Sequence, residues 1–137
     1  MMNKDGEENF HNIWDDKNYT LSLIQIKYKD KSKIYGGYAE EKWDISKTVI
    51  KDKKSFLFSF SEKSEPFYSK ESFFSIICSS EYGPSFGLSN QRPELWIIGR
   101  KGKYDNTLVF GDTKRLCTGG SRTFDVLEIE VCQITFE

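Results

Sequence analysis

The sequence predicts a mainly β fold: a two-layer antiparallel β-sandwich with little helix. Apolar residues come in short runs, and where a run lengthens it alternates, as in "KSFLFSF" and "VLEIEV"; that is the period of strands. Clusters of Gly, Pro, Ser and Asn punctuate the chain between these runs, at the spacing of roughly 8 to 12 residues usual for sandwiches and barrels. No segment carries a sustained i, i+3, i+4 apolar stripe.

Taken in order, residues 1–9 are charged and polar and read as a flexible N-terminus, leaving 10–137 as the folded domain. "NFHNIWDDKN" reads as the end of a helix or an irregular lead-in. "TLSLIQIKY" is the first strand, "KDKSK" a charged turn, and "KIYGGY" the return strand. In "KSFLFSF", Phe56, Phe58 and Phe60 alternate with Ser55, Leu57 and Ser59, so the phenylalanine face is predicted to point into the core. "FFSIICS" and "ELWIIG" are short apolar runs, and "GRKGKY" is a basic hairpin-like turn. In "TFDVLEIEVCQITFE" the apolar phase runs through Leu127, Ile129 and Val131, then shifts to Ile134 and Phe136, which predicts a bulge or a change of sheet partner after Val131. Cys78 and Cys132 lie in strand-like runs and are expected as buried packers.

Composition bounds the function. The 137 residues hold 20 Lys plus Arg against 21 Asp plus Glu, a net charge of −1. That balance gives no basic footprint for nucleic acid or an anionic membrane. Hydrophobic content is only 37%, but aromatics reach 15%, with 11 Phe, 7 Tyr and 3 Trp, so the core is built from rings. Three cysteines without tight spacing argue for reduced thiols and a cytoplasmic location. The polar N-terminus has no signal-peptide core, and no apolar run is long enough to span a bilayer.

Candidate chemistry is sparse. Gly83-Pro84-Ser85-Phe86-Gly87 matches the G-x-S-x-G nucleophile elbow. An elbow needs a helix after the serine and a histidine base further along. Here Asn90, Pro93 and a second strand follow, and the single histidine, His11, lies upstream. Ser85 is therefore read as part of a loop entering an edge strand, and Ser85→Ala as nearly silent. Gly36-Gly37 marks a bulge or a close crossing with an aromatic neighbour. "CTGGSR" could form an anion-binding nest from Gly119, Gly120 and Ser121 near Arg122, with Arg100 as a second cation. Cys117, near Lys114, Arg115 and Arg122 in sequence, is the candidate for a reactive thiol. No metal set or cofactor motif is present, so no cofactor is predicted.

The ordered series "IYGGYAEEKWD", "KSFLFSF", "YGPSFG", "ELWI" and "LCTGGSRTFDVLEIEVCQI" resembles the TLDc domain of oxidation-resistance proteins. The matching positions are Gly36, Gly37, Tyr38 and Trp43, then Phe56 and Phe58, then Gly83, Pro84, Phe86 and Gly87, and finally Glu128 and Glu130. Ser85 falls at a variable position of that motif. The family's domains carry additional helical residues ahead of the first strand, of which only "NFHNIWDDKN" is present. "LSNQRP" followed by Glu94 stands where the family often has a Gly-rich stretch and an acidic residue. The resemblance implies a β-sandwich, a role in oxidative-stress protection, and a protein partner among the subunits of the vacuolar-type proton ATPase. It implies no catalytic machinery. The competing functions are a redox or hydrolytic enzyme using Cys117 or Ser85, and a binder of small anions or lipid headgroups through "CTGGSR".

Overall fold

A computed structural model describes residues 13–28, 30–44, 49–60, 65–68, 74–78, 82–89, 92–105, 110 and 123–135. Among the described residues the named elements are strands: β1 (Thr20–Tyr28), β2 (Lys31–Ala39), β3 (Val49–Ile50), β4 (Phe56–Ser59), β5 (Phe67–Tyr68), β6 (Phe74–Ile77), β7 (Ser85–Ser89), β8 (Arg92–Ile98), β9 (Lys101–Tyr104) and β10 (Thr123–Gln133). The two-residue strands β3 and β5 have no alternation to reveal them in the sequence. Of the lead-in, Ile13 and Trp14 have helical backbone. Phe10, His11, Phe136 and the "CTGGSR" loop lie outside the described residues.

The strands form one ten-stranded antiparallel sheet, in the order β3-β6-β7-β8-β9-β10-β1-β2-β4-β5. The hydrogen-bonded ladder is thus continuous, where separate sheets were expected. β10 joins the two halves: Thr123–Asp125 pairs with β9, while β1 pairs along it as far as Gln133. Packing brings distant strands together across the core. The ring of Phe86 on β7 lies where a side chain at Gly37 on β2 would stand, although these strands are not neighbours in the ladder. Both outermost strands, β3 and β5, are only two residues long, which limits edge-to-edge pairing with other chains.

The bulge sits earlier than the apolar phase suggested. Pairing runs unbroken from Thr20↔Gln133 to Gln25↔Glu128, then jumps to Ile26↔Val126. Leu127 is the extra residue and is 45% exposed. An extra residue in one strand bends it and increases its twist, and this one lies next to the stretch where β10 turns to β9. Phe124 and Val126 remain buried before the bulge.

The core cluster contains Ile24, Ile26, Tyr35, Leu57, Ile76, Phe86, Leu95, Ile97, Phe110, Phe124 and Val126 around a fully buried Trp43. The lead-in is tied to that tryptophan. Asp16 N–H donates to Trp43 O (2.7 Å), Trp43 N–H donates to Lys17 O (3.4 Å), and the indole Nε1–H donates to Thr20 Oγ1 (2.8 Å).

The register of β4 is opposite to the one read from its phenylalanines. Leu57 and Ser55 are buried, Phe56 and Phe58 are half-buried, and Phe60 is 61% exposed. The partner strand explains the choice. Leu57 pairs with Gly37 and Phe58 with Gly36, and the core side of β2 already holds Tyr35 and Phe86. The outer side offers bare backbone at Gly36, and Phe58 lies over it. Phe60→Ala is accordingly expected to cost under about 1 kcal/mol in urea unfolding, far from the about 3 to 5 of a core phenylalanine; a core-sized loss would put the Phe face inside.

Candidate interaction surface

The Gly83–Gly87 motif is a structural brace. Ser85 opens β7, which lies between β6 and β8 and is not an edge. Its buried Oγ donates to Gly83 O (3.1 Å) and accepts from Ile97 N–H (3.0 Å), while Gly83 N–H donates to Ile97 O (2.9 Å). The hydroxyl thus fills a rung of the β7–β8 ladder that the backbone leaves open. Pro84 is buried beside it, Phe86 enters the core, and Gly87 has φ 83, a conformation that a side chain disfavours. A strand follows, so the elbow geometry is not met. Ser85→Ala is expected to cost about 1–2 kcal/mol, since it orphans a buried amide, and is therefore not silent; an unchanged urea midpoint would show that another acceptor replaces the hydroxyl.

Asp52 is a second brace, one that residue patterns passed over. It is buried; Oδ2 accepts from Glu40 N–H (2.7 Å) and Glu41 N–H (3.0 Å), and Oδ1 accepts from Lys54 N–H (3.1 Å). Ser55 Oγ donates to Asp52 O (2.9 Å). An Asp bonding its own backbone two residues on is an Asx turn, so "DKKS" carried a readable signal. This carboxylate fixes the chain after β2. Tyr38 lies nearby, and its hydroxyl is held above the ordinary tyrosine range by burial, then by the negative charges of Glu40 and Asp52.

Cys78 is buried, its Sγ accepting from Asp44 N–H (3.4 Å). Cys132 is exposed on β10, contrary to expectation, because it lies opposite Leu21 on the outer face. Cys117, Gly119, Gly120, Ser121 and Arg122 lie outside the described residues, as do Lys114 and Arg115. Arg100 sits in the β8–β9 turn after Gly99, whose φ is 59. No group of three or more His, Cys, Asp or Glu suited to a metal occurs among the described residues.

What the sheet does present is an aromatic outer face. Tyr38 stacks on Phe56 at 5.1 Å, Phe56 contacts Phe58 at 5.9 Å and Tyr68 at 5.7 Å, and Phe58 meets Phe60 edge-on at 5.3 Å. Tyr68 and Phe60 are each 61% exposed, and Ile34 beside them is 36% exposed. Beside this row a groove of about 250 Å³ is lined by Leu23, Gln25, Ile34, Phe60, Glu128 and Glu130. The alternation that buries Ser22, Ile24 and Ile26 turns Leu23 and Gln25 outward, and both glutamates lie directly opposite these two. The groove thus joins the carboxylates of Glu128 and Glu130 on β10 to the aromatic row of β4. Ile34, Leu23 and Tyr68 were not singled out in the sequence; their outward orientation follows from strand pairing.

These features define an antiparallel β module whose motif glycines and Ser85 serve its packing, with an aromatic face left open. A family model of the TLDc domain matches residues 3–135, and the chain belongs to that family. No curated protein matches it. Among the described residues, no helix is long and apolar enough to cross a membrane.

Proposed function

We propose that this chain is a non-catalytic interaction module of the cytoplasm that binds a protein partner through its outer aromatic face. The supporting observation is the contiguous row Tyr38–Phe56–Phe58–Phe60 with Tyr68 beside it, open at Phe60 and Tyr68. Exposed apolar patches mark association sites, and aromatic anchors supply much of the energy at protein interfaces. For the partner we infer the class that the resemblance to the TLDc family implies, subunits of the vacuolar-type proton ATPase, with protection against oxidative stress as the proposed outcome.

Affinity capture from cell extract, followed by mass spectrometry, tests this. Wild-type protein is expected to enrich ATPase subunits, and Phe60→Asp/Tyr68→Asp to lose them with an unchanged circular dichroism spectrum. Equal capture by both would remove the aromatic face from the function. Rapid selective alkylation of Cys117, with loss of stress protection in Cys117→Ser, would replace binding by thiol chemistry.

A further inference from the structure

We propose that the groove between Leu23, Ile34 and Phe60, walled by Glu128 and Glu130, takes an extended segment of a protein partner in which a large apolar side chain is flanked by Lys or Arg. The proposal rests on the interaction-module reading and specifies the chemistry that the module reads.

The groove's size limits its occupant. About 250 Å³ lies below the roughly 300–1,000 Å³ of small-molecule pockets, so it seats a side chain or two and not a helix. Its floor carries Leu23 and Gln25, and one side is apolar, from Ile34 and Phe60. Its other side is anionic. Glu128 and Glu130 are both exposed, and neither carboxylate has a hydrogen-bond or ion-pair partner among the described residues. The neighbouring acid, Asp125, differs: it is already engaged by Lys101 Nζ, and Lys27 lies opposite it on β1. The negative field is therefore concentrated beside the groove.

Geometry selects an extended occupant. Glu128 and Glu130 face Gln25 and Leu23 in unbroken register, so they repeat at about 6.8 Å along the strand. Cations at alternate positions of an extended peptide have the same repeat. One such segment laid along β10 meets both carboxylates while the apolar residue between its cations turns toward Ile34 and Phe60. The same carboxylates repel nucleic acid and anionic lipid, which leaves a cationic protein segment as the complementary ligand.

The probe is a fluorescein-labelled peptide in which Lys alternates with Leu and Phe, with a control carrying Glu at each Lys. Binding is read by anisotropy and by methyl NMR of Leu23 and Ile34. The cationic peptide is expected to shift both methyl signals and the acidic one to shift neither. Affinity is expected to fall about tenfold in Glu128→Gln/Glu130→Gln and to weaken as salt is raised. Both glutamates are exposed, so this variant keeps its fold. Equal affinity for the double variant, equal binding of the acidic peptide, or methyl shifts elsewhere would each overturn the proposal. So would concentration-dependent dimerisation that Phe60→Asp abolishes, because the groove would then belong to a second copy. ATPase capture that survives the double Gln variant but not Phe60→Asp/Tyr68→Asp would remove the groove proposal and keep the module. Peptide binding at the groove with no ATPase captured would keep the groove and remove the ATPase reading.

Discussion

Trp43→Ala is expected to lower the unfolding free energy by about 3–5 kcal/mol, a large part of the about 5–15 that a domain possesses. Trp43 has no exposed surface and meets Phe86 edge-on at 5.8 Å. Truncation opens a ring-sized cavity that β2 and β7 cannot close, because their backbones are fixed by pairing on β1 and β8. It also removes the indole donor from Thr20, whose hydroxyl is equally buried. Trp43→Phe keeps one six-membered ring but loses the five-membered ring of the indole with its N–H, so a smaller loss of about 1–3 kcal/mol is expected. Urea unfolding followed by circular dichroism measures both. Near-wild-type stability of Trp43→Ala would mean that the lead-in and β7 do not meet at this residue.

The strands with a long pattern were legible. β1, β2 and β10 announce themselves by apolar and β-branched content, and the hairpin after β8 by Gly99. The face of β4 was not. Alternation fixes which residues share a side, but not which side is inner, and three phenylalanines outvoted one leucine until β2 was placed beside them. Gly36 and Gly37 decide it, since each seats a ring on its own side of the sheet. The bulge at Leu127 was hidden for a related reason: Leu127, Ile129 and Val131 keep a perfect period in sequence, and only pairing with β1 shows one of them left out. The sequence placed a strand after Ser85, as found at β7, but the rung that its hydroxyl fills depends on Ile97, which is remote in sequence. The groove was half legible. Glu128 and Glu130 stood out as motif residues, but their apolar counterparts come from β1, β2 and the end of β4, which only the fold brings together.

Gly37→Ala is expected to cost about 3 kcal/mol, the upper end of the about 1–3 typical of overpacking a core, and Gly36→Ala distinctly less. The two glycines are adjacent, and an added Cβ meets an aromatic ring at nearly the same distance at each: 2.4 Å from Phe86 at Gly37 and 2.3 Å from Phe58 at Gly36. What differs is whether the ring can move. Phe86 is fully buried, edge-on to Trp43 at 5.8 Å and to Phe110 at 6.5 Å, so a displacement by the new methyl propagates into two more rings or separates β2 from β7. Phe58 is half-buried on the outer face, beside the exposed Phe60, and can swing toward solvent for the loss of some contact area. Differential scanning calorimetry of the two variants compares them directly. Equal losses would show that Phe58 is held as firmly as the core, and the outer aromatic face would then be a rigid packing layer and not a surface that adapts to a partner.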